Sequence, residues 1–246
     1  MRSDLLRPAT WVAVLRRLLW PTRGLAPTEA TAIERERVDA NLRRIRVMAP
    51  IGLCAHLAYM AVFGWWHQVA PARVAWRDTV FGLHAAAAPI AAALLVASWW
   101  TRPRWLDPVR RWAGELTVLD MIALGTLSAL NTNRTEFSMA PFLIAAMIVA
   151  IAVTVRPTFA LVVVAIAGAA LLGFGVARIA DPATRSSTLT NAVISIALVF
   201  VLGRLGFGNL MREVRVRHTI EQVNGELERR VAAQVGEIVA RAREVE

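Results

Sequence analysis

The sequence has almost no cysteine and no lysine. Cys54 is the single Cys among 246 residues, which excludes an internal disulfide framework and a Cys-based metal site. Because it lies within an apolar run, we expect it to be a small buried side chain. All 28 basic residues are Arg, a bias that we expect of a bacterial genome rich in G and C.

Charged residues are also scarce, at 19% of the chain, whereas hydrophobic residues make up 57%. A soluble domain averages about 25% charged and about 45–50% apolar, so this composition excludes an ordinary soluble domain and a disordered chain. The sequence lacks P-loop, zinc-protease and nucleophile-elbow motifs, and its polar segments are short. We therefore expect no catalysis, no cofactor and no metal in this chain.

Six apolar runs are long enough to be membrane spans, since a helix needs about 20 mostly apolar residues to cross a bilayer core. The fourth and fifth runs are separated only by Arg156 and Pro157, which predicts a tight helical hairpin. The sequence thus predicts an all-α integral membrane protein with a six-helix bundle over residues 47–210. The predicted spans are 47–66, 80–100, 113–131, 139–155, 158–180 and 189–210.

The Arg residues are distributed unevenly about these spans. The two terminal segments and the even-numbered loops carry 22 Arg, and the odd-numbered loops carry five. Arg is enriched on the cytoplasmic side of membrane proteins, which predicts cytoplasmic termini in a bacterial inner membrane. Residues 1–46 are predicted to form an amphipathic helix over Leu5–Trp20 and a polar helix from Thr28 into the first span. The net charge of +10 therefore indicates a lipid bilayer as partner, and no nucleic acid.

Ionisable residues inside spans are candidates for function, because they are expensive to place in a bilayer. Asp120 and His56 are predicted at roughly 10 and 14 Å from the inner edge at 1.5 Å per residue, so they could meet. The pair could sense protons or bind a polar ligand, or it could form a structural hydrogen bond between helices. His84 is the third candidate for ligand or proton sensing, and it is predicted about 10 Å higher than His56. Glu115 lies one turn after Arg111 and is expected to form a surface ion pair.

Residues 211–246 have a different composition, with seven Arg, seven Glu and no Pro. Their apolar residues are spaced by steps of 3, 4, 4, 4, 3, 4 and 3, which is a heptad pattern with one stutter. The pattern predicts a cytoplasmic coiled coil and a homodimer, with Glu226–Arg230 and Glu237–Arg241 as ion pairs along the helix. The predicted seam, called the dimer seam below, consists of Ile220, Val223, Leu227, Val231, Val235, Ile238, Ala242 and Val245.

The final third of the chain resembles the membrane regions that precede the output domains of bacterial signalling proteins. The resemblance lies in VRPTFALVVVAIAGAA, in TNAVISIALVF and in LGRLGFGNLMREVRVRHTIEQVNGELERR, and covers residues 33–246 in general pattern. Such regions precede diguanylate cyclase, class III adenylate cyclase, histidine kinase and Ser/Thr kinase domains. The resemblance implies a dimeric sensor and transmission module.

The sequence departs from these families because no GGDEF loop, phospho-acceptor His box, kinase DFG motif or cyclase core follows the predicted coiled coil. The helical pattern runs up to Glu246 without a C-terminal Gly or Pro, so we expect that the helix continues into a segment beyond this sequence. A small transporter or channel, which would bind an unknown small ligand, and a passive membrane anchor are the alternatives.

Overall fold

The computed structural model describes residues 19–65, 70–100, 102–132, 138–175, 179 and 181–245. Within these ranges the elements are helical and no strand occurs, which confirms the all-α prediction. In chain order the helices are α1 Pro27–Trp65, α2 Pro71–Trp99, α3 Asp107–Arg111, α4 Ala113–Thr132, α5 Ala140–Ala152, α6 Pro157–Ala170 and α7 Pro182–Val245, with a 3-10 turn at Arg104–Leu106 and a π-helical turn at Leu171–Gly175.

Five of the described helices are long and apolar enough to cross a membrane, namely α1, α2, α4, α7, and α6 together with its π-helical turn. Helix α5 has 13 residues and is about 20 Å long at 1.5 Å per residue. That length is less than the roughly 30 Å of a bilayer core. The chain is therefore a membrane protein by the length and composition of its helices, and the sixth span stays a prediction.

Several helix boundaries differ from the predicted spans. The polar helix and the first span form one continuous α1, as predicted. Helix α2, however, begins at Pro71, nine residues before the predicted start of the second span. Helix α7 begins at Pro182 and continues without a break through the predicted coiled coil. Most of the predicted helix over Leu5–Trp20 lies outside the described residues.

The bundle carries apolar side chains on its outside and several ionisable side chains inside. Val47 and Ile151 are exposed, whereas Arg37, Glu115 and Asp120 are buried. This arrangement suits a lipid environment, where outward-facing apolar side chains contact hydrocarbon and charged groups must pair within the protein. Cys54, which was expected to be buried, is exposed, because it lies on the outer surface of α1.

Close packing of α4 against α5 depends on a glycine. A Cβ at Gly125 would lie 2.6 Å from the Cβ of Ala145 and 2.9 Å from the carbonyl oxygen of Pro141. Only Gly therefore allows this approach of the two helices. The main core lies beside this contact, between α4, α5, α6 and α7, and includes Val118, Ile122, Phe142, Ala146, Val164, Leu171 and Ala192.

The helix break predicted at Arg156 and Pro157 is confirmed. The two helices that it joins are called the α5–α6 hairpin below, although they make few direct contacts with each other. Helix α5 ends at Ala152, Val153 is extended, and Pro157 begins α6. The hairpin lies beside the first half of α1 and the start of α4. We call this the basic end of the bundle, because the side chains of Arg37, Arg44 and Arg156 lie there.

Candidate functional site

A cavity of about 740 Å³ lies between α1, α2, α4 and α5. Its volume falls within the range of about 300–1,000 Å³ that is typical of small-molecule sites. The walls are mostly apolar, and all three site residues predicted from the sequence lie on them. These residues, called the cavity cluster below, are His56 on α1, His84 on α2 and Asp120 on α4.

His56 and His84 form a direct contact, with 2.9 Å between their Nδ1 atoms. The predicted difference of about 10 Å in depth between them is therefore wrong. The prediction placed the start of the second span at residue 80, whereas α2 begins at Pro71. Nine additional residues correspond to about 14 Å of helix at 1.5 Å per residue, which brings His84 to the level of His56.

This contact restricts the protons on the two rings. One Nδ1 must donate and the other must accept, since two N–H groups cannot share one hydrogen bond. His56 is only 3% exposed, and its Nε2 is a buried atom without a hydrogen-bond partner among the described residues. The histidine pair thus leaves one buried ring nitrogen unsatisfied, an arrangement that is rare in folded proteins.

Aromatic side chains hold the histidine pair in place. The ring of Tyr59 stacks on His84 with 4.2 Å between ring centroids and 5° between the planes. Phe63, one turn further along α1, packs edge-on against Trp76 at 5.6 Å. Because these rings lie on α1 and α2, they fix the two helices against each other beside the cavity.

Asp120 is 8% exposed and lies on the cavity wall. The described part of the chain provides no hydrogen bond to its carboxylate. The expected meeting of His56 and Asp120 therefore takes the form of a shared cavity, without direct hydrogen bonding. A structural hydrogen bond between helices, the alternative reading of these residues, is formed by His56 with His84 instead.

A second polar cluster, which sequence reasoning missed, lies at the basic end. Arg37 is fully buried. Its guanidinium donates to both carboxylate oxygens of Glu34 at 2.9 and 3.0 Å. It also forms an ion pair with Glu115, with 2.9 Å between Nη1 and Oε1. We call Glu34, Arg37, Asn41, Glu115 and Thr154 the basic-end network.

Asn41 joins α1 to the α5–α6 hairpin through two backbone hydrogen bonds. Its Nδ2 donates to the Thr154 carbonyl oxygen at 2.8 Å, and its Oδ1 accepts from the Thr154 N–H at 2.9 Å. Arg44 donates to the Thr154 hydroxyl at 2.9 Å. Residues 153–156 are not helical, so these side chains satisfy backbone groups that a helix would otherwise pair.

Glu115 corrects another expectation. It was expected to form a surface ion pair with Arg111, but it is buried and pairs with Arg37. The signal for this network was the spacing of Ile33, Arg37, Asn41 and Ile45. Steps of four residues place these side chains on one helix face, and all four are buried.

Arg side chains also control the carboxylate charges at this end. Burial alone would raise the pKa of Glu34, but hydrogen bonds and charges from Arg37 and Arg156 outweigh it and hold the pKa below its ordinary value. The hydrogen bond from Arg43 lowers the pKa of Glu36. Burial opposes this shift, and the charge of Arg217 adds to it. Both carboxylates therefore stay ionised at neutral pH.

The first half of α1 also binds α7. Arg215 donates to Glu29 at 2.6 Å, and Arg217 donates to Glu36 at 3.1 Å. Between these ion pairs, Ile33 packs with Phe207 and Met211 in a small apolar core. This contact, called the α1–α7 contact below, lies where α7 leaves the bundle.

Beyond the α1–α7 contact, α7 projects without neighbours in the described chain. Its two predicted ion pairs are present, Arg230 with Glu226 and Arg241 with Glu237. Ala242 and Val245 of the dimer seam lie outside the residues whose side chains the structure describes. The other six residues of the dimer seam are exposed, namely Ile220, Val223, Leu227, Val231, Val235 and Ile238.

Within the described residues, no group of three or more His, Cys, Asp or Glu side chains could hold a metal ion. No protein-family model, curated protein or solved structure matches this chain. The resemblance to the membrane regions of signalling proteins therefore stays a prediction.

Proposed function

We propose that this chain is the sensor and transmission module of a bacterial signal-transduction protein. In this proposal the cavity receives a stimulus within the inner membrane. Helix α7 then passes the change through a dimeric coiled coil to a cytoplasmic kinase or cyclase output domain. The termini face the cytoplasm, as the distribution of Arg predicts.

The observation that carries this proposal is the continuity of α7. One helix of 64 residues runs from Pro182 in the bundle to Val245, and its dimer seam is exposed in the single chain. An isolated helix with such an exposed apolar face is marginal in water. A second copy would cover the face, and the stutter in the seam allows two alternative registers.

A contiguous set of contacts links the cavity to this helix. Val153 lies on the cavity wall, and the backbone of the next residue, Thr154, binds Asn41 on α1. The same face of α1 carries Ile33, which packs against Phe207 and Met211 of α7. A ligand that moves α1 or the α5–α6 hairpin would therefore also change the α1–α7 contact.

Disulfide cross-linking of the full-length chain tests the dimer. In a Cys54→Ser background, Leu227→Cys would place a thiol on the seam. Arg229→Cys is the matched control, since two residues correspond to about 200° around a helix. In liposomes at a high lipid-to-protein ratio, we expect mild oxidation to cross-link the Leu227→Cys variant at least tenfold faster than the Arg229→Cys variant. Equal rates at both positions would contradict the parallel coiled coil.

Transmission is tested by combining the cross-link with a change in the cavity. We expect Asp120→Asn to alter the ratio of cross-linking at Leu227→Cys to that at Val231→Cys. The exposed Asp78→Asn serves as control and should leave the ratio unchanged. An unchanged ratio in Asp120→Asn would instead support a passive membrane anchor.

A small transporter is the second candidate, and the cavity itself favours it. Three ionisable side chains line one cavity, as is typical of substrate sites near the middle of a membrane. A proteoliposome flux assay separates the candidates, because a transporter would move a solute across the membrane and a sensor module would not.

A further inference from the structure

We propose that the cavity binds an apolar molecule that carries one hydrogen-bond-donating group, a hydroxyl or a protonated amine, with Asp120 as its acceptor. This inference rests on the proposed function in one respect, because it names the class of molecule that the sensor module would detect. The binding site itself is argued from the cavity alone.

The polar part of the ligand follows from two polar groups on the cavity wall that lack partners. Asp120 is 8% exposed and lies on this wall, and its carboxylate receives no hydrogen bond from the described residues. An ionised carboxylate only accepts hydrogen bonds, and a protonated carboxyl group keeps an accepting oxygen, so a donor is a suitable partner in either state. His56, on the same wall, has an unsatisfied Nε2. Buried polar groups are nearly always paired, which indicates that a further molecule supplies the partner.

The apolar part of the ligand follows from the remaining walls. Helices α1, α4 and α5 contribute Met48, Leu124 and Ile148, and most other wall residues are also apolar. Ile51 and Ile144 lie on the walls as well, although they are 66% and 59% exposed. The cavity is therefore open between α1 and α5, on a side where the bundle surface is apolar. A lipid-soluble molecule could enter there directly from the bilayer.

Other occupants fit less well. A fully apolar acyl chain would leave Asp120 buried without a partner. An anion would be repelled by the carboxylate, and the described residues provide no set of ligands for a metal ion. The combination of an apolar body with a single donor satisfies both the walls and the carboxylate.

Binding can be measured with three probes that share one ring system: 2-naphthylmethanol, 2-naphthylmethylamine and 2-methylnaphthalene. The full-length chain would be labelled with 5-fluorotryptophan in lipid nanodiscs. The ¹⁹F resonance of Trp76, which lies on the cavity wall, would be assigned with Trp76→Phe. We expect at least one of the two donor-bearing probes to bind at least tenfold tighter than the hydrocarbon. The tighter of the two identifies a hydroxyl or an amine as the donor.

Two variants test the role of Asp120. Asp120→Leu should remove the preference for the donor-bearing probe and leave hydrocarbon binding within about twofold, whereas the exposed Asp78→Leu should retain the preference. If Asp120→Leu does not fold, Asp120→Asn replaces it. Asn keeps one acceptor oxygen and lacks the charge, so the preference should fall at least threefold.

Substitutions of two glycines test the location of the binding site. Gly52 lies on the cavity wall, and a Cβ there would meet no atom within 4 Å. Gly52→Leu should therefore fill part of the cavity, and we expect it to weaken the binding of all three probes at least tenfold. Gly82→Leu is the matched control, because Gly82 has the same free space and is exposed away from the cavity.

Equal binding of the three probes to the wild-type chain would overturn the inference. A donor preference that persists in the Asp120 variants, or probe binding that Gly52→Leu leaves unchanged, would overturn it as well. These measurements do not depend on dimerisation. A failure here leaves the cross-linking result on α7 intact, and a failure of cross-linking leaves the binding result intact.

Discussion

The two buried polar clusters differ in whether their charged groups face a counter-charge from the protein. In the basic-end network, the Arg37 guanidinium contacts Glu34, Glu115 and the carbonyl oxygen of Thr154. Neither carboxylate oxygen of Glu115 has a hydrogen bond among the described residues, but Arg37 supplies its counter-charge. In the cavity cluster, His56 and His84 share one hydrogen bond, and Asp120 has none within the described chain. The network joins α1, α4 and the α5–α6 hairpin, whereas the cluster lies beside 740 Å³ of open volume.

This difference in pairing indicates which cluster stabilises the fold and which cluster is available to bind a ligand. A buried charge that is paired with a counter-charge of the protein fixes the arrangement of the helices, and loss of one member leaves the other as an unpaired buried charge. Buried polar groups without partners weaken the fold and are available to a ligand. We therefore expect variants of the basic-end network to affect unfolding and variants of the cavity cluster to affect binding.

Replacement of Arg37 should have the largest effect on stability. Arg37→Met leaves Glu115 buried without its cation, which typically costs about 3–5 kcal/mol of the free energy of unfolding. Denaturation of the full-length chain in lipid–detergent mixtures would measure this loss. In the double variant Arg37→Met/Glu115→Leu the unpaired charge is also removed, so most of the stability should return. A double variant no more stable than Arg37→Met would contradict this account.

Replacement of Asn41 should have an intermediate effect. Asn41→Ala removes both hydrogen bonds to Thr154. It leaves the buried Thr154 N–H unpaired and leaves the C=O with only the longer hydrogen bond from Arg37 at 3.4 Å, so we expect the free energy of unfolding to fall by about 1–3 kcal/mol. The same denaturation measurement applies. The exposed residue Asp39, two positions earlier on α1, provides the control Asp39→Ala, which should change stability by less than about 0.5 kcal/mol.

Replacement of Asp120 should have the opposite effect on stability. Asp120→Leu exchanges an unpartnered buried carboxyl group for an apolar side chain, and we expect it to raise the free energy of unfolding by about 1 kcal/mol. The comparison of the two clusters fails if Asp120→Leu destabilises the chain as strongly as Arg37→Met does.

Acid pH should have the smallest effect, at the α1–α7 contact. The hydrogen bond from Arg43 and the charge of Arg217 hold the pKa of Glu36 below its ordinary value of 4.5, although burial opposes them. A lowered pKa in the folded state contributes stability above the ordinary value, and this stability is lost as the pH falls through the lowered one. The contact should therefore loosen only below pH 4.5, by less than about 1 kcal/mol, since Glu36 pairs with partly exposed Arg side chains.

Distances between spin labels at positions 35 and 221, in a Cys54→Ser background, would report this loosening. Glu36→Gln removes one titrating group of the contact and should reduce the pH dependence in that range, whereas the Glu29–Arg215 ion pair is retained. A transition near pH 6 to 7 would show that another group controls the contact.

Features that depend on neighbouring residues in the chain were predictable from the sequence. The hairpin at Arg156 and Pro157 follows from the local effect of Pro. The ion pairs Glu226–Arg230 and Glu237–Arg241 follow from the i,i+4 geometry of a helix. These features depend only on residues that are close in the sequence and not on how the helices pack. They are all present in the structure.

Features that depend on packing between helices were not predictable in the same way. Arg37 is one of ten Arg in residues 1–46, and composition alone favours a solvated side chain. Its partner Glu115 lies 78 positions later in the sequence, and only the folded bundle brings the two together. Hydropathy also misplaced His84, because Arg73, Arg77 and Asp78 lower the apolar average over the first turns of α2 and move the apparent start of the span.

The length of α7 gives the molecule a lever arm. From residue 211 to Val245 the helix extends about 50 Å at 1.5 Å per residue. If the helix pivots as a rigid rod at the α1–α7 contact, a tilt of about 5° displaces its far end by about 4 Å, which is roughly the rise of three residues along a helix. An angular change too small to disturb the packing near Phe207 would thus be large at the far end of the rod.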